Sequence, residues 1–212
     1  MEFSATKAPL WLSIKDGRSC WKATGTCRED ARMATQCQEK DVTNPGDLAS
    51  TWSLWVRVQR FLCREADAVD MRRWGEWLSL FADDVEYWVP AWDSEFDLTS
   101  DPKSEVSLIY LASKADISDR LWRFTSGQSA ASVPLPRTVH YVTNVEVLEV
   151  EGDLVKVRGK WLTHAYRFRE SFLLGGYCEY VLRIDGDSFL IQRKKSVLVN
   201  DRPVMAVDLF HF

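Results

Sequence analysis

Three side chains in this sequence have the types that acid–base chemistry requires. Asp84 and Tyr87 lie close together, and His140 lies on a later predicted strand. A carboxylate paired with a histidine beside a phenol can move protons when burial shifts their pKa values. A dehydratase or isomerase with a central pocket would use such a set. The alternative is that Asp84 is a solvated turn residue, that Arg137 pairs with it, and that His140 is a structural or interface group.

The segment around Asp84 reads RRWGEWLSLFADDVEYWVP and covers residues 72–90. Four large apolar side chains recur there at the spacing of one helical face: Trp74, Trp77, Leu78 and Phe81. The extended, aromatic residues 85–89 predict a strand that follows this helix. The carboxylates of Asp83 and Asp84 are expected at the junction, where they would tie a corner of the fold.

The cysteines and histidines do not form a metal-binding motif. No C-x2-C, Cys-x-His or His-x3–5-His pair occurs among the five cysteines and three histidines: Cys20, Cys27, Cys37, Cys63, Cys178, His140, His164 and His211. A Rieske cluster needs two Cys and two His in paired motifs, and a facial-triad iron needs two His and a carboxylate. We therefore expect no metal, cofactor or catalytic residue in this chain, and cysteines that stay reduced.

Composition favours a folded protein. The chain has 212 residues, of which 46% are hydrophobic and 12% aromatic, enough for a substantial core. A net charge of −4 argues against a nucleic-acid binder, and the run Arg193–Lys194–Lys195 is too short for such a surface. The sequence contains no apolar run of about 20 residues and no recognisable secretory signal. We expect a soluble cytoplasmic protein.

The sequence divides near residue 46. Residues 1–46 have no sustained period and predict a poorly ordered arm, a partner-binding arm or an extension of the reading frame, whereas residues 47–212 predict one domain. Asp47 is expected to cap a helix whose apolar stripe is Leu54, Val58, Phe61, Leu62 and Val69. Glu65 falls on that stripe and is expected to pair with a buried Arg or a backbone amide. Asp70 is expected to cap the next helix, and residues 105–124 predict a third.

The second half of the chain predicts strands. Residues 139–150 precede a hairpin signal at 151–153, and residues 154–174 form a long extended run that ends at Gly175-Gly176. Residues 177–184 alternate with a period of two, and Asp185-Gly186 is a strong hairpin signal. A two-residue turn there would place Leu182 beside Phe189 and Tyr180 beside Ile191, and Val197 and Val199 would continue the same apolar face. Helices followed by strands predict an α+β fold with a curved antiparallel sheet wrapped on the helices.

Four stretches, in order, carry a resemblance to one family. They are FLCREADAVDMRRWGEWLSLFADDVEYWVP at 61–90, SLIYLASKADISDRLWRFTSG at 107–127, PRTVHYVTNVEV at 136–147, and FLLGGYCEYVLRIDGDSFLIQRKKSVLVND at 172–201. In these stretches the chain resembles the small (β) subunit of aromatic-ring-hydroxylating dioxygenases. The resemblance covers most of residues 48–205 and leaves the N-terminal arm aside.

The resemblance implies a cystatin-like (NTF2-like) cone, with helices cradled by a strongly curved, mixed but mainly antiparallel sheet. It also implies a trimer of this chain inside an α3β3 hexamer with a large subunit. That large subunit would carry a Rieske [2Fe–2S] cluster and a mononuclear Fe(II), and would use O2 and electrons from NADH, delivered by a reductase and sometimes a ferredoxin. The present chain would hold no redox centre and would act as a scaffold.

The resemblance further implies a substituted benzoate as the substrate of the assembly, such as anthranilate, salicylate or a halobenzoate. Trp92 and Trp122 are the tryptophans that we expect at subunit contacts, with ordinary packing as the alternative. Two other functions use the same fold. One is a stand-alone pocket enzyme that uses Asp84, Tyr87 and His140, and the other is a binding module for a small ligand.

Overall fold

The structure, a computed structural model, describes residues 45–129, 132–200 and 206–212. The arm predicted for residues 1–46 lies outside these ranges, apart from residues 45 and 46, which belong to the first helix. The domain boundary after residue 46 therefore stays a prediction.

Three helices form one layer of the fold: α1 (Pro45–Asp70), α2 (Trp74–Ser79) and α3 (Lys114–Thr125). Helix α1 begins at Pro45, two residues before the predicted cap Asp47, because proline is well suited to the first turn of a helix. Its predicted apolar stripe is confirmed, with Val58 and Leu62 fully buried. The helical face is thus set by the 3.6-residue period of the sequence.

Helix α2 is shorter than its predicted stripe. Trp77 is buried as expected, whereas Phe81 already lies in the following strand. The residue that precedes α2 is Arg73, without a side-chain cap, so the prediction that Asp70 caps this helix is wrong. The backbone turns sharply at Arg72, with φ of 54°, and this turn leaves Asp70 free to face the sheet.

Six strands form one sheet in the order β2-β1-β6-β5-β4-β3. Only β1 and β6 pair in parallel among these strands, so the sheet is mixed and mainly antiparallel, as predicted. The strands are β1 (Phe81–Pro90), β2 (Ser107–Leu111), β3 (Arg137–Glu151), β4 (Leu154–Arg167), β5 (Glu170–Asp185) and β6 (Ser188–Leu198). A short 3-10 turn, Leu209–His211, ends the described chain.

The third predicted helix, residues 105–124, is a strand followed by a shorter helix. Ile109 in β2 pairs with Val89 of β1 and is buried by that pairing. The side chain of Ser113 accepts a hydrogen bond from the amide of Asp116, which caps α3 and fixes its start at Lys114. Tertiary pairing therefore overrides the helical pattern in the first part of this segment.

The extended run 154–174 is a hairpin. Strands β4 and β5 meet at Phe168 and Arg169, both with positive φ, 54° and 68°. Such turns usually contain Asn or Gly, so the sequence carries no signal for this one. Gly176 lies inside β5, where a Cβ would collide with the carbonyl oxygen of Val197, so only glycine permits this approach of the two backbones.

The β5–β6 hairpin is present, but its predicted register is wrong. Ile184 pairs with Phe189 and Leu182 with Ile191, because the turn consists of Gly186 and Asp187 rather than Asp185 and Gly186. Gln192 then has no opposite residue, which makes a bulge in β6. The bulge reverses the alternation of β6, so that Lys194 rather than Lys195 faces the interior.

Candidate functional site

The three residues predicted for acid–base chemistry do not form one site. Tyr87 is fully buried and the His140 side chain is only 6% exposed, but Asp84 is on the surface. The nearest basic partner of Asp84 is Arg183, at 3.9 Å. Arg137 stacks on the ring of Tyr166 instead of pairing with Asp84. The predicted catalytic set is therefore not assembled.

The carboxylates of Asp83 and Asp84 contribute little to the corner at which they lie. Asp83 approaches Lys114 at 3.8 Å, and its side chain is almost entirely exposed. Ion pairs of this length between exposed groups are worth little in water. The two carboxylates at this junction are therefore solvated, and their positions do not support a catalytic role.

The partner of His140 is Asp70, at the end of α1. Nδ1 of His140 lies 2.6 Å from Oδ1 of Asp70, Thr138 donates its hydroxyl to the same oxygen, and the His140 amide donates to Oδ2. Burial would raise the pKa of Asp70, but the hydrogen bonds and charge of His140, aided by Thr138, hold it below its usual value. The ionised carboxylate thus pins the end of α1 to β3.

A second charged pair lies deeper in the fold. Nζ of Lys194 is 2.7 Å from Oε1 of Glu65, and the hydroxyl of Tyr180 donates to Oε2 at 3.0 Å. Lys194 also donates to the carbonyl oxygen of Phe212 at 3.2 Å, and its ammonium lies 5.4 Å from the ring centre of Tyr87. Burial lowers the pKa of Lys194, and the charge of Glu65 more than reverses this, so the pKa of Lys194 lies above its usual value and its ammonium stays charged.

The phenols and the thiol around this pair are poor proton donors. Burial raises the pKa of Tyr87 to about 12 and that of Cys178 to about 12. Burial, reinforced by the negative charge of Glu65, also raises the pKa of Tyr180 well above its ordinary value. A general acid or base works best with a pKa near the operating pH. This cluster is therefore built for packing and charge pairing rather than proton transfer.

Residues 206–212 fill the space that a substrate would need. The Asp208 carboxylate is held by Arg120 at 2.6 Å and Arg123 at 3.1 Å, both from α3. The Phe212 ring packs edge-on against Trp161 at 5.4 Å, and Thr163 donates to the carbonyl oxygen of His211. Beside the Glu65–Lys194 pair, the remaining cavity holds about 20 Å³, enough for a water-sized molecule and too small for an aromatic ring.

Within the described ranges, no group of three or more His, Cys, Asp and Glu side chains could hold a metal ion. Cys63 is an exposed free thiol and Cys178 a buried one, whereas Cys20, Cys27 and Cys37 lie outside these ranges. None of the helices in that part of the chain is long and apolar enough to cross a membrane.

The opposite face of strands β3–β5 carries apolar side chains in contact with solvent. We call Val139, Tyr141, Leu162 and Leu173 the outer patch. Tyr141 pairs with Leu162 across β3 and β4, and His164 lies between Val139 and Leu173 in the next row. Tyr141 is 53% exposed and Leu173 61%. Adjacent exposed apolar side chains of this kind mark a surface that binds another protein.

The two tryptophans expected at contacts differ in exposure. Trp92 is half-buried, and its indole N–H donates to the carbonyl oxygen of Leu198 at 2.7 Å. Trp122 on α3 is 63% exposed, and in the sequence it lies between Arg120 and Arg123, the two arginines that hold Asp208. Packing within the chain accounts for Trp92, and Trp122 stays a candidate for a contact.

Sequence reasoning missed Lys194 and the role of Asp70. Lys194 belongs to a run of three basic residues, a pattern that is typical of a solvent-exposed face. Only the bulge at Gln192 turns its side chain toward the interior. Glu65 was correctly placed on the buried face of α1, but its partner is a lysine rather than an arginine. A charged residue on an apolar helical face was the available signal, because such a residue requires a buried counter-charge.

The architecture is that of the cystatin-like (NTF2-like) fold. An NTF2-like protein with a cystatin-like fold from Novosphingobium aromaticivorans matches with a TM-score of 0.51 at 15% identity, which shows the fold alone. The β subunit of benzoate 1,2-dioxygenase from Burkholderia mallei matches with a TM-score of 0.62 at 33% identity, over 73% of this chain and 95% of that one.

Sequence comparison identifies the family within that fold. Residues 64–203 match the family described as ring hydroxylating beta subunit. The β subunit of toluate 1,2-dioxygenase from Pseudomonas putida is 37% identical, over 73% of this chain and 95% of its own. The small subunit of 2-halobenzoate 1,2-dioxygenase from Burkholderia cepacia is 36% identical, over 77% and 99%. This chain belongs to the family of ring-hydroxylating dioxygenase β subunits, and the resemblance noted in its sequence is confirmed.

Proposed function

We propose that this chain is the non-catalytic small subunit of a dioxygenase that hydroxylates a substituted benzoate. Its role is to hold large subunits in register, in an α3β3 hexamer that contains a trimer of this chain in the cytoplasm. The large subunit carries the Rieske [2Fe–2S] cluster and the mononuclear Fe(II), and a reductase, with or without a ferredoxin, supplies electrons from NADH.

The outer patch is the observation that carries the scaffold role. Residues 206–212 fill much of the interior of this β subunit and leave only a small cavity. Tyr141 and Leu173 form an exposed apolar surface that carries no catalytic groups. Interfaces between subunits are centred on such apolar and aromatic side chains. We assign the outer patch to a contact with another subunit of the hexamer.

The identities of the relatives support a benzoate-type substrate. Small subunits named for toluate, halobenzoate, benzoate and anthranilate dioxygenases are 34–37% identical to this chain. Those named for p-cumate and benzene dioxygenases are 29% and 24% identical. The sequence therefore groups with the 1,2-dioxygenases named for toluate, halobenzoate, benzoate and anthranilate, which supports a benzoate-type substrate.

The test is co-expression of the full chain with a large subunit of a benzoate-type dioxygenase. We expect a complex with the native mass of α3β3, containing iron and acid-labile sulfide. With the reductase added, it should consume O2 with NADH and benzoate, anthranilate, salicylate or 2-halobenzoate. A chain that stays a monomer or dimer and recovers no iron-containing partner would refute the scaffold role. A homodimer that binds a small molecule would favour a ligand-binding module instead.

A charged substitution on the outer patch tests the assigned surface. Tyr141→Lys combined with Leu173→Lys places two charges in the proposed contact, and we expect loss of the hexamer while the chain itself stays folded. Phe96→Lys is the matched control, because Phe96 is 84% exposed on the loop between β1 and β2. Equal assembly of both variants would remove the outer patch from the interface.

A further inference from the structure

Two of the buried polar atoms that have no hydrogen-bond partner within the described part of the chain belong to residues that line one small cavity. They are Nε2 of His140 and Oγ of Ser196. Ser196 is 1% exposed, and the side chain of His140 is 6% exposed. Both residues line the 20 Å³ cavity, together with Glu65, Tyr180 and Lys194. Buried polar groups in folded proteins nearly always have a hydrogen-bond partner, so these two require one.

The contacts of Asp70 define what His140 needs. The ionised carboxylate of Asp70 can only accept hydrogen bonds, and its Oδ1 lies 2.6 Å from Nδ1 of His140. Nδ1 must therefore carry the proton. Nε2 is an acceptor in the neutral ring and a donor in the doubly protonated ring, so in either state it needs a partner in the cavity that His140 lines.

The chemistry of the site narrows the choice of partner. A halide can only accept, so it would satisfy Nε2 in the doubly protonated ring but not in the neutral one. An ammonium ion can donate, but the charged ammonium of Lys194 would repel it within the same small space. A water molecule is neutral, both donates and accepts, and fits a cavity of about 20 Å³, because one water needs roughly 10–15 Å³ of such volume.

We propose that this cavity is a binding site for one water molecule, which forms hydrogen bonds with Nε2 of His140 and Oγ of Ser196. The water lies between two buried pairs, Asp70–His140 and Glu65–Lys194, and links them into one network. The network fastens α1, which carries both carboxylates, to β3 through His140 and to β6 through Lys194. This site is independent of the proposed role in the dioxygenase.

The direct test is a high-resolution crystal structure of the full chain grown with sodium bromide. We expect one electron-density peak within hydrogen-bond distance of both His140 Nε2 and Ser196 Oγ, without anomalous signal at the bromine edge. An empty cavity would overturn the proposal. An anomalous peak would also overturn it, because the site would then hold a halide rather than a water molecule.

A variant and a spectroscopic readout extend this test. Ser196→Val fills the cavity, and we expect the ¹⁵N resonance of His140 Nε2 to shift as its hydrogen bond is lost, while the Nδ1–H resonance stays in place. Ser171→Val on β5 is the matched control, since Ser171 is exposed, and should leave both resonances unchanged. An unchanged Nε2 resonance in folded Ser196→Val would refute a water at this position.

Discussion

Strands β3–β5 have two faces with opposite character. The face toward the helices is mainly apolar and also holds the buried Asp70–His140 pair. The face toward solvent carries ion pairs between β3 and β4, and it also exposes the apolar side chains of Tyr141 and Leu173. Antiparallel sheets usually have apolar residues inside and polar ones outside. The buried polar pair and the exposed apolar patch are exceptions to this pattern, and each needs a partner. The inner face is partnered by this chain itself, and the proposed function gives the outer face to another subunit.

The polar side chains of the interior show that buried polar groups do not by themselves make an active site. A cone with Asp, His, Tyr and Lys side chains inside could be taken for an active site from residue types alone. Here Lys194 is held by Glu65 and by the carbonyl oxygen of Phe212, and His140 is held by Asp70. Groups that pair with one another in this way stabilise the fold, and the remaining cavity of about 20 Å³ is too small for an aromatic substrate.

The largest loss of stability is expected from Lys194→Met. This change leaves the Glu65 carboxylate buried without its counter-charge, which typically costs about 3–5 kcal/mol. Urea unfolding of the purified chain, followed by circular dichroism, measures the free energy of unfolding. The double variant Lys194→Met with Glu65→Leu removes both charges and should recover most of the loss. Equal destabilisation by the single and double variants would contradict the pairing.

Removal of the Phe212 ring should have the next largest effect. Phe212 is 5% exposed and packs on Trp161, so Phe212→Ala loses buried apolar area and leaves a cavity, at a cost of about 3 kcal/mol. The same unfolding experiment applies. Phe96→Ala is the control, because an exposed ring loses little, and a loss as small as that of the control would mean that residue 212 does not fill the interior.

The stability of the chain should fall in mild acid because of His211. Burial and the nearby His140 lower the pKa of His211 from 6.5 to about 4, so folding favours its neutral form. This contribution is complete above pH 6.5 and is lost as the pH falls toward 4, by roughly 2–3 kcal/mol in total. The measurement is the free energy of unfolding at a series of pH values.

His211→Asn is the matched variant for this pH series. An Asn side chain offers an oxygen near the position of Nδ1, which accepts from the Asp208 amide at 3.0 Å, and it does not titrate. We expect the slope between pH 6.5 and 4 to decrease in the variant, whereas the loss at lower pH from Asp70 stays, because the pKa of that group is lowered from 3.8. An unchanged slope would assign the acid sensitivity to another group.

The sequence predicted those parts of the fold that depend on local periodicity. The apolar stripe of α1 follows from the spacing of residues within one helix. The hairpin between β5 and β6 follows from the alternation along β5 and the turn signal at Asp185-Gly186. The turn at Phe168 and Arg169 could not be predicted, because its positive φ values occur in residues that carry no turn signal. The long-range pairing that makes residues 107–111 a strand could not be predicted from the sequence either.

The interior network was predicted less well than the fold. Glu65 was expected on a buried face, but its partner depends on a bulge at Gln192 that the sequence does not mark. Asp70 was interpreted as a helix cap because it precedes α2, and its contact with β3 joins residues 70 positions apart. Side chains that meet across the sheet are set by register, and a shift of one residue in register changes which of them face inward.

The smallest effect on stability is expected on the outer face. Leu173→Ser removes an apolar side chain that is 61% exposed, so the free energy of unfolding of the isolated chain should change by less than about 0.5 kcal/mol. Assembly with the large subunit should weaken in the same variant, because the proposed contact with another subunit would bury this side chain. A loss of several kcal/mol in the isolated chain would mean that Leu173 packs within its own subunit. In that case, both faces of β3–β5 would stabilise the isolated subunit, and the outer patch would not support a contact with another subunit.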